Sequence, residues 1–356
     1  MTGHETRQQK IRSFDPNGVG LQNGHFIGLP FDEQEAQIVL LPVPWDVTVS
    51  YGAGTATGPA NILEASPQLD LLDTDVPDAW QMGIYMRQPD AYWLEESQKL
   101  RPSASQYIDF LERNGQLADA PEMAALLAQI NRRSEALNDW VEGQCESLLS
   151  AGQLVGVVGG DHSTPLGLMK ALARHYPSYG VLQIDAHMDL RKAYEGFTYS
   201  HASIFYNALQ IPEITQLTQV GIRDYCEAEV QLANESGRAA VFYSHAIRRQ
   251  QFEGAAFKSI ASQIISTLPE HVYISFDIDG LQPSLCPNTG TPVPGGLALE
   301  EAHYLLAQLV EKGHRIIGFD LCETAGLGHE WDGNVGARVL YKLANLMGAS
   351  HGLHLL

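Results

Sequence analysis

The sequence predicts an α/β protein: a single three-layer α/β/α domain with a mostly parallel central sheet. Three observations predict it. Short, nearly continuous apolar and β-branched runs recur along the chain, as in strands buried on both faces. Helix-like segments lie between them, and strands alternating with helices give a parallel sheet covered on both sides. Polar clusters follow several of the runs, where open α/β sheets place their chemistry. With 44% hydrophobic and 18% charged residues among 356, the chain can bury one large core and lacks the polar, low-complexity composition of a disordered protein.

Residues 1–36 contain Gly18, Gly20, Gly24 and Gly28 without a sustained period and read as an irregular N-terminal arm. The domain proper, 37–356, begins with the strand Ile38–Val43. Residues 74–121 then interrupt the alternation with Asp, Pro and aromatics, including Tyr92, Trp93 and Tyr107; this insertion reads as a lid or subunit contact rather than a separate domain. A helix over Glu122–Leu149 leads to the strand Leu154–Val158, and a helix over Pro165–Arg174, with proline tolerated in its first turn, leads to Gly180–Ile184. The strand Ala239–Tyr243, the helix Phe257–Thr267 and the strand Val272–Phe276 follow. The helix Leu299–Lys312, the strand Ile316–Phe319 and the helix Val335–Met347 complete the order.

Charge narrows the partners. Forty-two acidic against 22 basic residues give a formal net charge of -20, which repels nucleic acid and anionic membranes; it would suit a cationic substrate or divalent metals, although a solubility charge spread over the surface explains it more readily. Cys145, Cys226, Cys286 and Cys322 are far apart and read as reduced thiols. Met1 to Phe14 lacks an apolar signal core, and no stretch approaches the ~20 apolar residues that span a bilayer, so a cytoplasmic location is expected.

Six candidate metal ligands stand beside the buried runs: His162; Asp185, His187 and Asp189; Asp277 and Asp279. Period-2 geometry would place Asp185, His187 and Asp189 on one side of an extended chain, and Asp277 and Asp279 repeat that spacing. An isolated Asp-x-Asp is more often a solvated turn, and a lone His a satisfied core residue. Together, such groups beside buried strands would each cost several kcal/mol in desolvation unless paired or coordinated. Gly159 and Gly160 allow a tight turn before His162, and this loop lacks the Lys of a phosphate-binding loop. Four carboxylates and two imidazoles favour two Mn²⁺ ions per chain, with Ni²⁺, Co²⁺ or Fe²⁺ allowed and a thiolate zinc site excluded. A water bridging such a pair becomes hydroxide near neutral pH and attacks carbon or phosphorus.

Gly159-Gly160-Asp161-His162-Ser163, Asp185-Ala186-His187-Met188-Asp189 and Ser275-Phe276-Asp277-Ile278-Asp279-Gly280-Leu281 resemble the three signatures of the ureohydrolase family, the arginases, agmatinases and their relatives. The likeness extends more loosely from Ile38 to Met347, through Gly58-Pro59, Gly290-Thr291-Pro292 and Gly295-Gly296. It implies the arginase-like fold. By motif position, His162 and Asp189 would bind one metal, His187 and Asp279 the other, and Asp185 and Asp277 would bridge the pair. Hydroxide would attack a guanidinium carbon, yielding urea and an amine. His201 matches the family's proton-shuttling histidine, with a suitable intrinsic pKa, and Glu323 matches the acid that receives the guanidinium fork. The stretch from Asp189 to Gly196 with Tyr199-Ser200-His201 looks more like agmatinases than arginases, so agmatine is the substrate expected, giving putrescine. Relatives form trimers or hexamers, so a homo-oligomer is expected too.

Two departures bear on the substrate: Gln282 stands where many relatives have Asp, and Trp45 with the insertion implies an unusual pocket rim. The pattern is also similar to the branch holding nickel-dependent guanidine hydrolases, and arginase or guanidinobutyrase activity stays open beside it. A two-metal phosphoesterase would need a Gly-Asn-His-Asp segment and a late His-x-His pair; the nearest candidate, His351-Gly352-Leu353-His354, is spaced differently and sits at an expected frayed terminus. A non-catalytic partner subunit would have lost ligands, and all six are present.

Overall fold

In the computed structural model, which describes residues 6–353, eight strands form one sheet. They are β1 (Ile38–Val43), β2 (Ile84–Met86), β3 (Leu154–Gly159), β4 (Tyr179–Ile184), β5 (Ile214–Ile222), β6 (Ala239–Tyr243), β7 (His271–Asp277) and β8 (Arg315–Cys322). Their spatial order is β2-β1-β3-β8-β7-β4-β5-β6, and every neighbouring pair is parallel. The six expected strands are present within it. β8 continues to Cys322, so Glu323 stands immediately past its end.

The reading of the sequence contains neither β2 nor β5. β2 is only three residues long and lies inside the insertion. β5 reads Ile-Thr-Gln-Leu-Thr-Gln-Val-Gly-Ile, and its Thr and Gln residues break the apolar run. Of these, Thr218 and Gln219 are buried, and they are held by hydrogen bonds: Thr218 Oγ1 lies 2.8 Å from Thr267 Oγ1, and Gln219 Nε2 donates to the carbonyl of Met188 at 2.7 Å. A buried polar group whose hydrogen bond is made carries little of its desolvation cost.

The helices are α1 (Arg7–Ser13), α2 (Gly58–Ala65), α3 (Ala91–Glu112), α4 (Pro121–Ser150), α5 (Leu166–His175) and α6 (Ile204–Ala208) in the first part of the chain. α7 (Glu227–Ser236), α8 (Ser244–Phe252), α9 (Phe257–Ile265), α10 (Leu299–Glu311) and α11 (Glu330–Ser350) follow. Strand alternation divides the core between them. Ile38 and Leu40 of β1 face one layer with α9, α10 and α11, whereas Val39 and Leu41 face the other with α3, α4 and α5. Each fully buried Leu, Ile or Val stabilises the fold by about 1.5–3 kcal/mol, so the sheet is held rigidly from both sides.

The arm differs from the irregular segment expected. Its Arg7–Ser13 helix is capped by Thr6, whose hydroxyl accepts from the amide of Gln9, and Phe26, Leu29 and Phe31 are fully buried in the α11 layer. The 74–121 segment is tied to the body as well. β2 pairs with β1, while Trp93, Leu100, Ala104 and Tyr107 of α3 are buried in the α4 layer. α3 runs through Pro102, which cannot donate to the preceding turn. Among the described residues, no helix is long and apolar enough to cross a membrane.

Candidate metal centre

Three strand ends on one edge of the sheet build the site, those of β3, β7 and β4, with β8 between β3 and β7. Leaving β3, the chain turns at Gly160, where a Cβ would lie 1.9 Å from the carbonyl oxygen of Trp45; only glycine lets the two loops meet there. Asp161 N then donates to that same carbonyl at 2.7 Å, which fixes the direction in which His162 leaves the turn. β4 delivers Asp185, His187 and Asp189, and β7 delivers Asp277 and Asp279.

The structure brings all six candidates together. His162 Nδ1 lies 3.1 Å from Asp185 Oδ2, 3.1 Å from Asp189 Oδ2 and 3.3 Å from Asp277 Oδ2. His187 Nδ1 lies 3.1 Å from Asp279 Oδ2 and 3.5 Å from Asp185 Oδ1. Two ligand-like groups result, His162 with Asp185 and Asp277, and His187 with Asp185 and Asp279. Asp185 belongs to both. Asp189 does not continue an extended chain as the spacing suggested. Its φ of 53° is left-handed, and this turn carries its carboxylate back beside His162.

The donor set fits divalent cations. His162 Nε2 is 2.9 Å from Ser275 Oγ, whereas Nδ1 is buried and without a hydrogen-bond partner. A neutral ring that donates Nε2–H to Ser275 aims its Nδ1 lone pair at three carboxylate oxygens, which is repulsive unless a cation lies among them. A proton would compensate one charge. Two divalent ions would compensate four carboxylates.

The titration behaviour shows the same strain. Burial pushes Asp189 up to about 7, with Asp185 adding to it, and burial with Asp279 and Asp185 drives Asp277 well above the usual carboxylate range. Burial also pulls Asp185 upward, but the imidazoles of His162 and His187 outweigh it and hold that carboxyl low. Burial opposes a charge on His162, yet Asp185, Asp189 and Asp277 raise its pKa well above the ordinary value. Crowded carboxylates whose ion-pair partners among the described residues are two imidazoles are a site built to be finished by metal.

Around this cluster lie residues to which sequence reasoning gave no role. Gln183 Nε2 donates to Asp185 Oδ2 at 2.8 Å and to the carbonyl of His187 at 3.0 Å. Behind His162, Tyr273 donates to Asp320 Oδ2 at 2.7 Å, and Asp320 Oδ1 lies 3.7 Å from His162 Nε2. His162, Asp320 and Cys322 form a third buried ligand-like group, on the Nε2 side of the ring and not in the carboxylate cluster. A polar residue inside an otherwise apolar strand run, as at Gln183, Ser275 and Asp320, was the available signal.

His201 and Glu323 flank the cluster. His201 Nε2 lies 3.2 Å from Ser50 Oγ, and burial, then His187 and His162, pull its pKa down to about 3. Glu323 has a left-handed φ of 62°, accepts from His162 N at 3.0 Å through Oε1, and leaves Oε2 buried and unpartnered. Glu323, His201, Tyr51 and Thr291 line one recess. A cavity of about 120 Å³ opens from His187, Asp189 and His201 past Arg191, Tyr194 and Asp224. Arg191, Tyr194 and Glu229 also line a second, outer cavity of about 520 Å³.

Three expectations are corrected or bounded. Trp45 is not at a pocket rim: it is fully buried and meets Trp93 edge to face at 5.9 Å, because the segment after β1 dives under α3. Gln282 pairs its backbone with Leu297, its N–H donating at 2.9 Å. His351 lies 2.9 Å from the carbonyl of Ile316, at the amino end of β8 and away from the cluster; His354 is outside the described residues.

The sequence comparisons show the family, and the structural ones the fold. Residues 36–344 match the model described as the arginase family. The N(1)-aminopropylagmatine ureohydrolase of Thermus thermophilus is 32% identical over 323 residues, covering 90% of this chain and 93% of that protein. The crystal structure of agmatine ureohydrolase from Thermoplasma volcanium superposes with a TM-score of 0.68 at 21% identity, over 96% of this chain and 98% of that one. Trypanosoma cruzi formiminoglutamase with Mn²⁺ gives a TM-score of 0.68 at 19% identity, over 90% and 95%. These two structures share the fold.

Proposed function

The chain belongs to the arginase family, and from that premise we propose that it is an agmatinase-like ureohydrolase that releases urea from a linear, cationic guanidino compound at a two-metal centre. The observation that carries this reading is the sharing of Asp185 between the His162 and His187 groups, with the unpartnered Glu323 Oε2 and His201 in one recess beside them.

His162 and Asp189 would hold one ion and His187 and Asp279 the other, with the carboxylates of Asp185 and Asp277 available to both. Two divalent cations, Mn²⁺ in this reading and Ni²⁺ as the alternative, would supply a water activated for attack on the guanidinium carbon. Glu323 Oε2 offers its free lone pairs to the guanidinium N–H fork, which orients the carbon toward the cluster. His201, neutral at rest and anchored at Ser50, would take up the proton released when the activated water attacks and pass it to the leaving amine.

Agmatine, a guanidino head on a short aminobutyl tail, would occupy the first cavity with its head toward Asp189 and His187. A second reading has its own support: the outer cavity of about 520 Å³ shares Arg191 and Tyr194 with the first and would admit an aminopropyl extension of agmatine, as the name of the Thermus thermophilus relative describes. The test is urea release by protein loaded with Mn²⁺ or Ni²⁺ and offered agmatine, N(1)-aminopropylagmatine, arginine, 4-guanidinobutyrate and guanidine. Urea from one of the two agmatine compounds at the highest kcat/KM is expected. No urea from any of the five, with two ions bound per chain, would sink the proposal.

A further inference from the structure

α3, from the segment that interrupts the strand and helix alternation, places Trp93, Ser97 and Arg101 four residues apart on one stripe. Each meets the loop that leaves β1, in order. Trp93 packs edge to face on Trp45 at 5.9 Å. Ser97 Oγ donates to Asp46 Oδ1 at 3.1 Å and accepts from Asp46 N at 3.2 Å. Arg101 Nη1 donates to the carbonyls of Val47 at 3.0 Å and Val49 at 2.5 Å.

The same loop holds His201 from its other side. Thr48 Oγ1 accepts from the backbone amide of His201 at 3.2 Å and donates to Asp161 Oδ2 at 3.2 Å; Ser50 Oγ lies 3.2 Å from His201 Nε2. The residues gripped by Arg101, Val47 and Val49, alternate with the residues that touch His201, Thr48 and Ser50. Residues 47–50 are neither helix nor strand, so no ladder of their own fixes them.

We propose that Arg101 is a positioning residue: by tying down the carbonyls of Val47 and Val49 it sets where Thr48 and Ser50 hold the imidazole of His201. The inference rests on the reading of His201 as the proton donor to the leaving amine. It gives α3 a task in the reaction although no residue of that helix reaches the carboxylate cluster. Displacement of a catalytic group by about 1 Å can cost roughly 10²-fold in rate, so a clamp at this distance has leverage.

The test combines hydrogen exchange with kinetics on the metal-loaded full chain, comparing wild type with Arg101→Ala and Arg101→Lys. In Arg101→Ala, peptides spanning 45–52 and 198–204 should exchange at least about tenfold faster while the β4 peptide is unchanged, since the anchor and not the sheet is removed. kcat should fall by about 10²-fold with KM and bound metal nearly unchanged, because the reacting geometry and not ground-state binding is disturbed. Arg101→Lys, which keeps a cationic donor, should recover the protection and part of kcat. Wild-type protection of 198–204 in Arg101→Ala overturns the proposal, and so does lost protection with unchanged kcat. If Arg101→Ala does not accumulate as folded protein, Arg101→Gln carries the same two readouts. Should the wild type release no urea from any guanidino compound, the functional reading fails; the exchange measurement still decides whether Arg101 holds the His201 segment.

Discussion

His162 Nε2 lies 2.9 Å from Ser275 Oγ, and this contact determines which ring nitrogen faces the carboxylates of Asp185, Asp189 and Asp277. The two residues come from different strand ends, β3 and β7, so the register of the sheet sets the orientation of the ligand. A metal-binding histidine whose other nitrogen donates to a fixed acceptor is held in one tautomer and one ring plane.

Ser275→Ala is therefore expected to weaken the ion on the His162 side by about 10–100-fold while the ion on the His187 side stays. Metal content after dialysis against graded chelator reads this directly, as two steps where the wild type shows closer ones. Two ions retained with wild-type affinity would remove Ser275 from any part in binding.

The sharing of Asp185 makes a sharper contrast. Asp185→Asn takes charge from both groups and should abolish binding of both ions, whereas Asp279→Asn, whose carboxylate lies 3.1 Å from His187 only, should leave one ion per chain. Elemental analysis of the two variants after reconstitution with Mn²⁺ distinguishes them. One tightly held ion in Asp185→Asn would show that Asp185 does not bridge.

The ligand candidates were legible because each follows an apolar run within a few residues, and strand ends are where an α/β sheet exposes side chains to one crevice. Their grouping was less so. Spacing suggested an extended Asp185-His187-Asp189 edge, but the left-handed φ at Asp189, which no residue type announces, turns its carboxylate to His162. β5 was hidden because Thr218 and Gln219 are polar in sequence and satisfied only by partners on β4 and the loops beside it. Trp45 illustrates a further limit. An aromatic after a strand reads as rim or core with equal ease, and Trp93, 48 residues on, decides it.

Lys342 forms a buried ion pair far from the cluster, with Nζ 2.6 Å from Asp73 Oδ1 and 2.5 Å from Asp75 Oδ2, and Asn345 donates to Asp73 Oδ2 at 3.0 Å. Burial pulls the Asp73 pKa up, but the hydrogen bonds from Lys342 and Asn345 outweigh it and hold the carboxyl below its ordinary value. A depressed folded pKa contributes stability above the unfolded value near ~4, lost as pH falls through the lower folded value. Asp73→Asn should thus cost about 2–4 kcal/mol at pH 7 by leaving Lys342 with the half-exposed Asp75 alone, and much less near pH 3. Denaturant midpoints at the two pH values check it; equal losses at both would exclude the ion pair as the cause.

The outer cavity makes the last prediction. Glu195 lines it on a turn where Ala193, Glu195 and Gly196 all have positive φ, and its Oε2 is buried without a partner. Such a carboxylate is placed to receive an ammonium group that reaches past Tyr194, provided that it is ionised. Burial, with Glu112 adding to it, pushes Glu195 up to about 7, so it is largely neutral at pH 6 and largely charged at pH 8. Charge on Glu195 favours only a substrate long enough to touch it. KM for N(1)-aminopropylagmatine should accordingly fall between pH 6 and pH 8, by about tenfold if one charge-assisted hydrogen bond of ~1.5 kcal/mol is gained. KM for agmatine, whose amine would stop in the inner cavity, should not follow. Glu195→Gln should flatten the pH dependence for the longer compound and leave agmatine turnover nearly as it was. Equal pH dependence for both compounds in the wild type, or its survival in Glu195→Gln, would place the tail of the substrate elsewhere.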